Sequence, residues 1–154
     1  NAYGQLRIGD PLDEKNHVGP LIDKDAVNAY SAALEKVVAE GGNLLVEGGV
    51  LSGAGYESGC YVKPAIAEAD NSYQIVQDET FAPILYIIPF NAIDEAIELA
   101  NMGKGSLVCS IVTADDAIAK EFVMGAAANH GRILILNADV QKFLVVVVVL
   151  VVVT

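Results

Sequence analysis

Residues 107–136, LVCSIVTADDAIAKEFVMGAAANHGRILIL, form the stretch of sequence that decides the fold. Leu107 to Val112 and Ile133 to Leu136 are apolar runs of strand length. Between them, apolar side chains recur at three- and four-residue steps, which predicts an amphipathic helix. The inward face of that helix would consist of Ile118, Phe122, Val123 and Ala126. The stretch therefore predicts a strand–helix–strand unit.

Capping residues predict where this helix and its predecessor begin. Thr113, with Asp116 three residues later, resembles a capping box in which each residue satisfies a free backbone N–H of the first turn. After Pro89, a second pattern at helical spacing predicts a helix for which Asn91 is the expected cap.

An earlier helix is predicted by an apolar stripe that runs from Ala26 to Val38. Asp23 or Asp25 can accept hydrogen bonds from the free N–H groups at its start. Gly41 and Gly42 can supply the left-handed residue that commonly ends a helix.

Further apolar runs of strand length are Leu44 to Val46, Tyr61 to Ile66 and Ile84 to Ile88. These runs are apolar almost throughout rather than at every second residue. Strands buried on both faces have this composition, as in a parallel sheet covered by helices. The expected fold is α/β, a three-layer α/β/α arrangement with a mostly parallel sheet, and the expected domain spans residues 1–138.

Residues 139–154 form an atypical tail in which 143–153 are wholly apolar and nearly all valine. A membrane-spanning helix needs roughly 20 apolar residues, so this run is too short for one. Three interpretations remain: a buried or edge strand, an engineered tail, or valines that stand for unassigned residues.

Composition excludes several classes of protein. The net charge of −11 and the absence of a Lys/Arg cluster argue against nucleic-acid binding. Two cysteines do not make a disulfide framework, and the first residues lack a secretory signal. We therefore expect a cytoplasmic protein with no membrane segment.

Most residues of reactive type have an ordinary structural explanation. The glycine-rich residues 53–59 precede a strand where a dinucleotide fingerprint needs a helix, so they predict a loop. His17 and His130 have no partner at metal-ligand spacing, and no metal site is expected. Cys60 and Cys109 have no neighbouring histidine that would activate a thiolate, so neither is expected to be a catalytic nucleophile.

One segment has a composition suited to a ligand. Residues 77–83, QDETFAP, place an acid and an aromatic two positions apart at the entrance to an apolar strand. A carboxylate can accept both hydroxyls of a ribose, and an aromatic ring can pack against a flat heterocycle. From the residues alone, a polar turn with one core phenylalanine remains the preferred alternative.

The string from Glu79 to Tyr86, ETFAPILY, resembles the Glu-x-Phe-Gly-Pro signature of the aldehyde dehydrogenase superfamily. Further segments resemble that family in the same order along the chain: 8–12, 19–21, 41–49, 61–64, 95–101, 106–113 and 131–137. Ala82 followed by Pro-Ile-Leu-Tyr is similar to the antiquitin-like semialdehyde dehydrogenases. Residues 129–132 instead resemble the dehydrogenase half of bifunctional enzymes of phenylacetate breakdown, so the substrate stays open.

The resemblance implies specific roles. Glu79 would bind the nicotinamide-side ribose of NAD or NADP, and Phe81 would contact the nicotinamide ring. The family oxidises an aldehyde to a carboxylic acid through a cysteine thioester, and its members commonly form homo-oligomers. Its nucleophilic cysteine, general-base glutamate and oxyanion asparagine lie upstream of the matching segments. We therefore expect a part of the catalytic domain, downstream of the catalytic cysteine, that is inactive alone.

Two alternatives belong to other classes. The chain could be a non-catalytic α/β module used for oligomerisation or as a scaffold. It could also be an artificial or composite sequence, which the mixed subfamily resemblances and the valine tail would fit.

Overall fold

The computed structural model describes residues 3–103, 105–136 and, as backbone, 147–151. The chain divides into two compact units, Asn1–Ile88 and Pro89–Thr154. The α-helices are α1 Lys24–Ala39, α2 Gln74–Gln77, α3 Ile93–Met102 and α4 Asp116–Ala126. The strands are β1 Asn43–Val46, β2 Gly49–Val50, β3 Val62–Lys63, β4 Ala65–Glu68, β5 Ile84–Ile87, β6 Val108–Val112, β7 Ile133–Leu136 and β8 Val147–Val151.

The first unit contains a three-stranded sheet in the order β1-β4-β5. β4 and β5 are parallel, with Ala65 opposite Ile84 and Glu68 opposite Ile87, whereas β1 is antiparallel to β4. A separate antiparallel pair joins β2 to β3.

Helix α1 contributes five buried side chains to the core of the first unit. Its stripe of Val27, Tyr30, Ala33, Leu34 and Val37 is buried, as the apolar spacing predicts, but Val38 at the end of the predicted stripe is half exposed. The Asp23 carboxylate accepts from the Ala26 N–H at 2.8 Å, which confirms Asp23 as the cap. Gly41, with φ +107°, provides the left-handed residue after the helix.

A buried tyrosine hydroxyl joins three segments of the first unit. Tyr30 is fully buried; its Oη donates to the Lys63 carbonyl at 2.7 Å and accepts from the Gly49 N–H at 2.8 Å. Burial of this hydroxyl raises the pKa of Tyr30, an effect that the Gly49 hydrogen bond partly opposes. The phenol therefore ties α1 to both strands of the β2–β3 pair.

The second unit contains a sheet in the order β7-β6-β8. β6 is parallel to β7 and antiparallel to β8. A core cluster of Ala100, Cys109, Ile111, Phe122 and Ala126 joins α3, β6 and α4. The predicted strand–helix–strand unit is confirmed, and Val123, placed on its inward face by the pattern, is partly exposed.

Parallel pairing is present where the apolar runs predicted it, in β4–β5 and in β6–β7. The α/β class is therefore confirmed. Among the described residues an antiparallel strand flanks each parallel pair, so both three-stranded sheets are mixed.

The single strand predicted for Tyr61 to Ile66 is wrong, because the chain divides it at Pro64. Proline has no N–H to give to a ladder and interrupts strand pairing. Val62 and Lys63 accordingly pair with β2, whereas Ala65 and the residues after it pair with β1 and β5.

The two predicted caps of α3 and α4 are wrong. Asn91 donates its backbone N–H and Nδ2 to the Glu95 carboxylate, so its side chain does not accept from the helix. For α4 the cap is Asp115, whose Oδ1 accepts from the N–H groups of the first turn. A carboxylate accepts more strongly than the hydroxyl of Thr113, which accepts the Asp115 N–H instead.

The tail predicted for 139–154 lies outside the described residues except at β8. There the backbone of Val147–Val151 pairs with β6, in accord with the strand interpretation of that stretch. Within the described residues, no helix is long and apolar enough to cross a membrane.

Candidate functional site

The segment from Glu79 to Pro83 connects the short helix α2 to strand β5 in the first unit. Phe81 is 71% exposed and has φ +51°, a left-handed conformation that non-glycine residues rarely adopt. Glu79 is also exposed, and the Ala82 carbonyl accepts from the Ile84 N–H at 2.7 Å. The preferred alternative of a core phenylalanine is therefore wrong, because the backbone turn directs this ring into solvent.

The sheet anchors this segment from one side. The Pro83 carbonyl accepts from the Ala65 N–H at 3.0 Å, so the parallel pairing of β4 with β5 begins where the segment ends. The segment therefore lies at the amino ends of these two strands. Ligands in α/β sheets usually lie at the carboxyl ends, so that general rule does not account for a site here.

A second polar group behind the segment is the hydroxyl of Tyr86, which the sequence did not single out. Tyr86 Oη is buried and has no hydrogen bond of ordinary geometry among the described residues. Desolvation raises the pKa of Tyr86, while the nearby Thr80 side chain lowers it and the Glu40 charge raises it. The Tyr86 hydroxyl therefore lies close to the Thr80 side chain of the Glu79–Pro83 segment.

The segment and the residue before it carry negative charge. Asp78 forms an exposed ion pair with Lys36 of α1, with Nζ and Oδ2 3.6 Å apart, and Glu79 follows directly. No group of three or more metal-ligating side chains occurs in the part of the chain that the structure describes. The chemistry available is thus a carboxylate beside an exposed aromatic ring.

Neither cysteine belongs to the Glu79–Pro83 segment. Cys109 is fully buried on β6, and desolvation raises the pKa of its thiol, as expected for an unreactive core residue. Cys60 is partly exposed, and its Sγ lies 3.6 Å from the Ser58 carbonyl oxygen. Both thiols are free.

His130 forms a hydrogen bond that its sequence spacing did not reveal. Its Nδ1 lies 2.6 Å from Ser106 Oγ, and the Ser106 hydroxyl also donates to the Val108 carbonyl at 3.3 Å. The other ring nitrogen, Nε2, is buried without a partner among the described residues. Because Ser106 has a single hydroxyl hydrogen, a His130 ring protonated on Nδ1 completes both bonds. Desolvation lowers the pKa of His130.

This pKa shift predicts that acid destabilises the second unit. The folded pKa lies below the unfolded value of 6.5, so the contribution of neutral His130 is complete above pH 6.5. It is lost as pH falls from there through the folded pKa. Denaturant titrations between pH 5 and 8 should show this loss, and His130→Gln should abolish it. A His130→Gln variant with an unchanged pH profile would contradict the assignment.

Comparison with known proteins shows the family of the chain. The model of the aldehyde dehydrogenase family matches residues 1–139. The chain belongs to the aldehyde dehydrogenase family. The sequence is 40% identical over 115 residues to alpha-aminoadipic semialdehyde dehydrogenase of Bos taurus, covering 74% of this chain and 21% of that protein. It is 34% identical to betaine aldehyde dehydrogenase of Brucella anthropi over 114 residues, 73% of this chain and 23% of that protein.

The fold agrees with that of solved aldehyde dehydrogenases. A betaine aldehyde dehydrogenase double mutant from Staphylococcus aureus, in complex with NAD+, superposes with a TM-score of 0.79 at 24% identity. The match covers 87% of this chain and 27% of that structure. The chain thus spans about a fifth to a quarter of the aldehyde dehydrogenases that it matches, and the predicted resemblance to semialdehyde dehydrogenases is confirmed.

Proposed function

We propose that this chain is the part of an NAD(P)-dependent aldehyde dehydrogenase that contacts the nicotinamide half of the cofactor. Phe81 packs against the nicotinamide ring, and the Glu79 carboxylate accepts the hydroxyls of the adjoining ribose. The whole enzyme oxidises an aldehyde, of the semialdehyde class, to a carboxylic acid through a cysteine thioester. The nucleophile and base of that reaction belong to the remainder of the enzyme.

The single observation that carries this proposal is the conformation of Phe81. A ring 71% exposed on a left-handed backbone costs free energy twice, through exposed apolar surface and through strain of about 1–2 kcal/mol. A flat ligand that covers the ring would recover the first cost. The neighbouring Glu79 supplies the acceptor that a ribose requires.

Two substitutions test the contact. In the complete dehydrogenase chain that carries this segment, Phe81→Ala should weaken NADH binding by about fivefold, the value of one aromatic contact. Glu79→Gln should weaken it by about tenfold, because the charged acceptor is lost. Nicotinamide fluorescence measures both dissociation constants.

Phe81→Gly separates binding from folding. Glycine accepts φ +51° without strain, and this relief offsets the greater entropy of glycine in the unfolded chain. The free energy of unfolding should therefore change by less than about 1 kcal/mol. Binding should nevertheless weaken as much as in Phe81→Ala. Ile22→Ala, at an apolar position 91% exposed, serves as the control. Unchanged NADH binding in both Phe81 variants would refute the proposed role.

A second candidate function is assembly, which one observation favours. On β7, the consecutive side chains Leu134, Ile135 and Leu136 are all exposed although the strand is wholly apolar. Exposed contiguous apolar residues commonly mark an interface. Light scattering of purified material distinguishes homo-oligomers from a monomer, and Leu134→Lys should dissociate them.

A further inference from the structure

Helix α2 begins without a cap of its own. Its N-cap residue, Tyr73, makes no side-chain hydrogen bond to the first turn. The first N–H groups of any helix lack partners within the helix. Here the carboxylate of Glu40, 35 residues away in sequence, accepts from the Ile75 N–H at 3.2 Å. Glu40 therefore performs the capping role from outside the helix.

The position of Glu40 is unfavourable for its own helix. It is the C-cap residue of α1, where the partial negative charge of the helix end disfavours a carboxylate. Its side chain is only partly exposed, whereas the neighbouring Glu35 is exposed. The hydrogen bond to α2 therefore explains a glutamate at this position, whereas the charge at the end of α1 does not.

The far end of α2 is held by the same helix. Asp78, the residue after α2, accepts from Gln74 Nε2 at 2.8 Å through Oδ1 and pairs with Lys36 of α1 through Oδ2. Ile75 is buried in a cluster with Ala33 and Val37 of α1. Two polar contacts and one buried side chain therefore fix the four residues that precede Glu79.

We propose that Glu40 is a positioning residue for the cofactor: by capping α2 it fixes the segment that presents Glu79 and Phe81. This assignment rests on the proposed function, because it gives those two residues their ligand. The Lys36–Asp78 pair contributes less, since an exposed ion pair is weak. In this role Glu40 acts through α2 and not by contact with the cofactor.

Amide exchange in this chain tests the local part of the proposal. Glu40→Ala should accelerate exchange over residues 74–82 by about tenfold, the effect of losing a hydrogen bond to a charged group. Glu40→Gln keeps an acceptor oxygen without the charge, so it should restore most of the protection. Glu35→Ala removes a neighbouring exposed acid and should leave this segment unchanged. Unchanged exchange in Glu40→Ala would overturn the proposal.

Cofactor kinetics test the functional part in the complete dehydrogenase chain. Glu40→Ala should raise KM for NAD+ by about fivefold, because the Glu79–Pro83 segment is correctly placed in a smaller fraction of the molecules. The kcat should stay within about twofold of that of the unmodified enzyme. Glu40→Gln should recover most of the lost affinity. A purely structural role would instead lower thermal stability and leave KM for NAD+ unchanged, which would overturn the proposal.

The two ideas fail in different ways. If Phe81→Ala leaves NADH binding intact, the proposed function fails, whatever Glu40 does to exchange. If Phe81→Ala weakens binding and Glu40→Ala accelerates exchange without raising KM for NAD+, only the positioning role fails.

Discussion

Phe122→Ala is expected to remove most of the stability of the second unit. Phe122 is fully buried on α4 and packs in the cluster that includes Cys109 and Ile111 of β6. Deleting a buried phenylalanine ring costs about 3–5 kcal/mol, through lost transfer free energy and the cavity left behind. This is a large fraction of the stability of a small folded unit.

Chemical denaturation monitored by circular dichroism checks this result. Met124→Ala is the matched control, since Met124 lies two residues away on the same helix and is 77% exposed. The control should change the free energy of unfolding by less than about 0.5 kcal/mol. Equal effects of the two variants would show that the α4 face assigned to the core is wrong.

Gly48→Ala is expected to destabilise the first unit by about 2–4 kcal/mol, from strain and steric overlap together. An added Cβ would overlap with Tyr30 Oη and lie 2.9 Å from the Ala65 Cβ, while φ +70° already disfavours a side chain. Tyr30 cannot move aside without giving up its hydrogen bonds to Lys63 and Gly49.

Gly53→Ala separates the two causes. Gly53 has φ +105°, at least as strained for alanine, but nothing lies within 4 Å of its added Cβ. Thermal and urea unfolding should therefore show a smaller loss for Gly53→Ala than for Gly48→Ala. The reverse order would mean that backbone strain rather than contact with Tyr30 dominates.

Sequence pattern predicted the elements well where periodicity determines them. The buried stripe of α1, the strand of Val108–Val112 and the α4 core positions Phe122 and Ala126 follow from spacing that only one face can bury. It failed where competing local bonds decide the outcome. The start of each helix depends on which nearby side-chain oxygen accepts an N–H. Asp115 accepts from the first turn of α4, whereas Glu95 accepts from Asn91, the residue expected to cap α3.

The candidate site was predictable only in part. Glu79 and Phe81 were found from their resemblance to a family signature, whereas the composition alone favoured a buried ring. The left-handed backbone that exposes Phe81 has no sequence signal, because phenylalanine is not a residue that favours it. Contacts between residues far apart, such as Glu40 with Ile75 or Ser106 with His130, leave no mark in a single sequence.

The hydroxyl of Tyr30 has a consequence for how the first unit assembles. Its two partners, Gly49 and Lys63, lie 19 and 33 residues further along the chain, so each bond forms only after its own intervening loop has closed, and the hydroxyl is fully paired only when both have. A half-assembled unit with Tyr30 packed would hold a buried hydroxyl without partners, which is costly. Intermediates of that kind are therefore penalised, and α1 and the β2–β3 hairpin should fold together in one cooperative step.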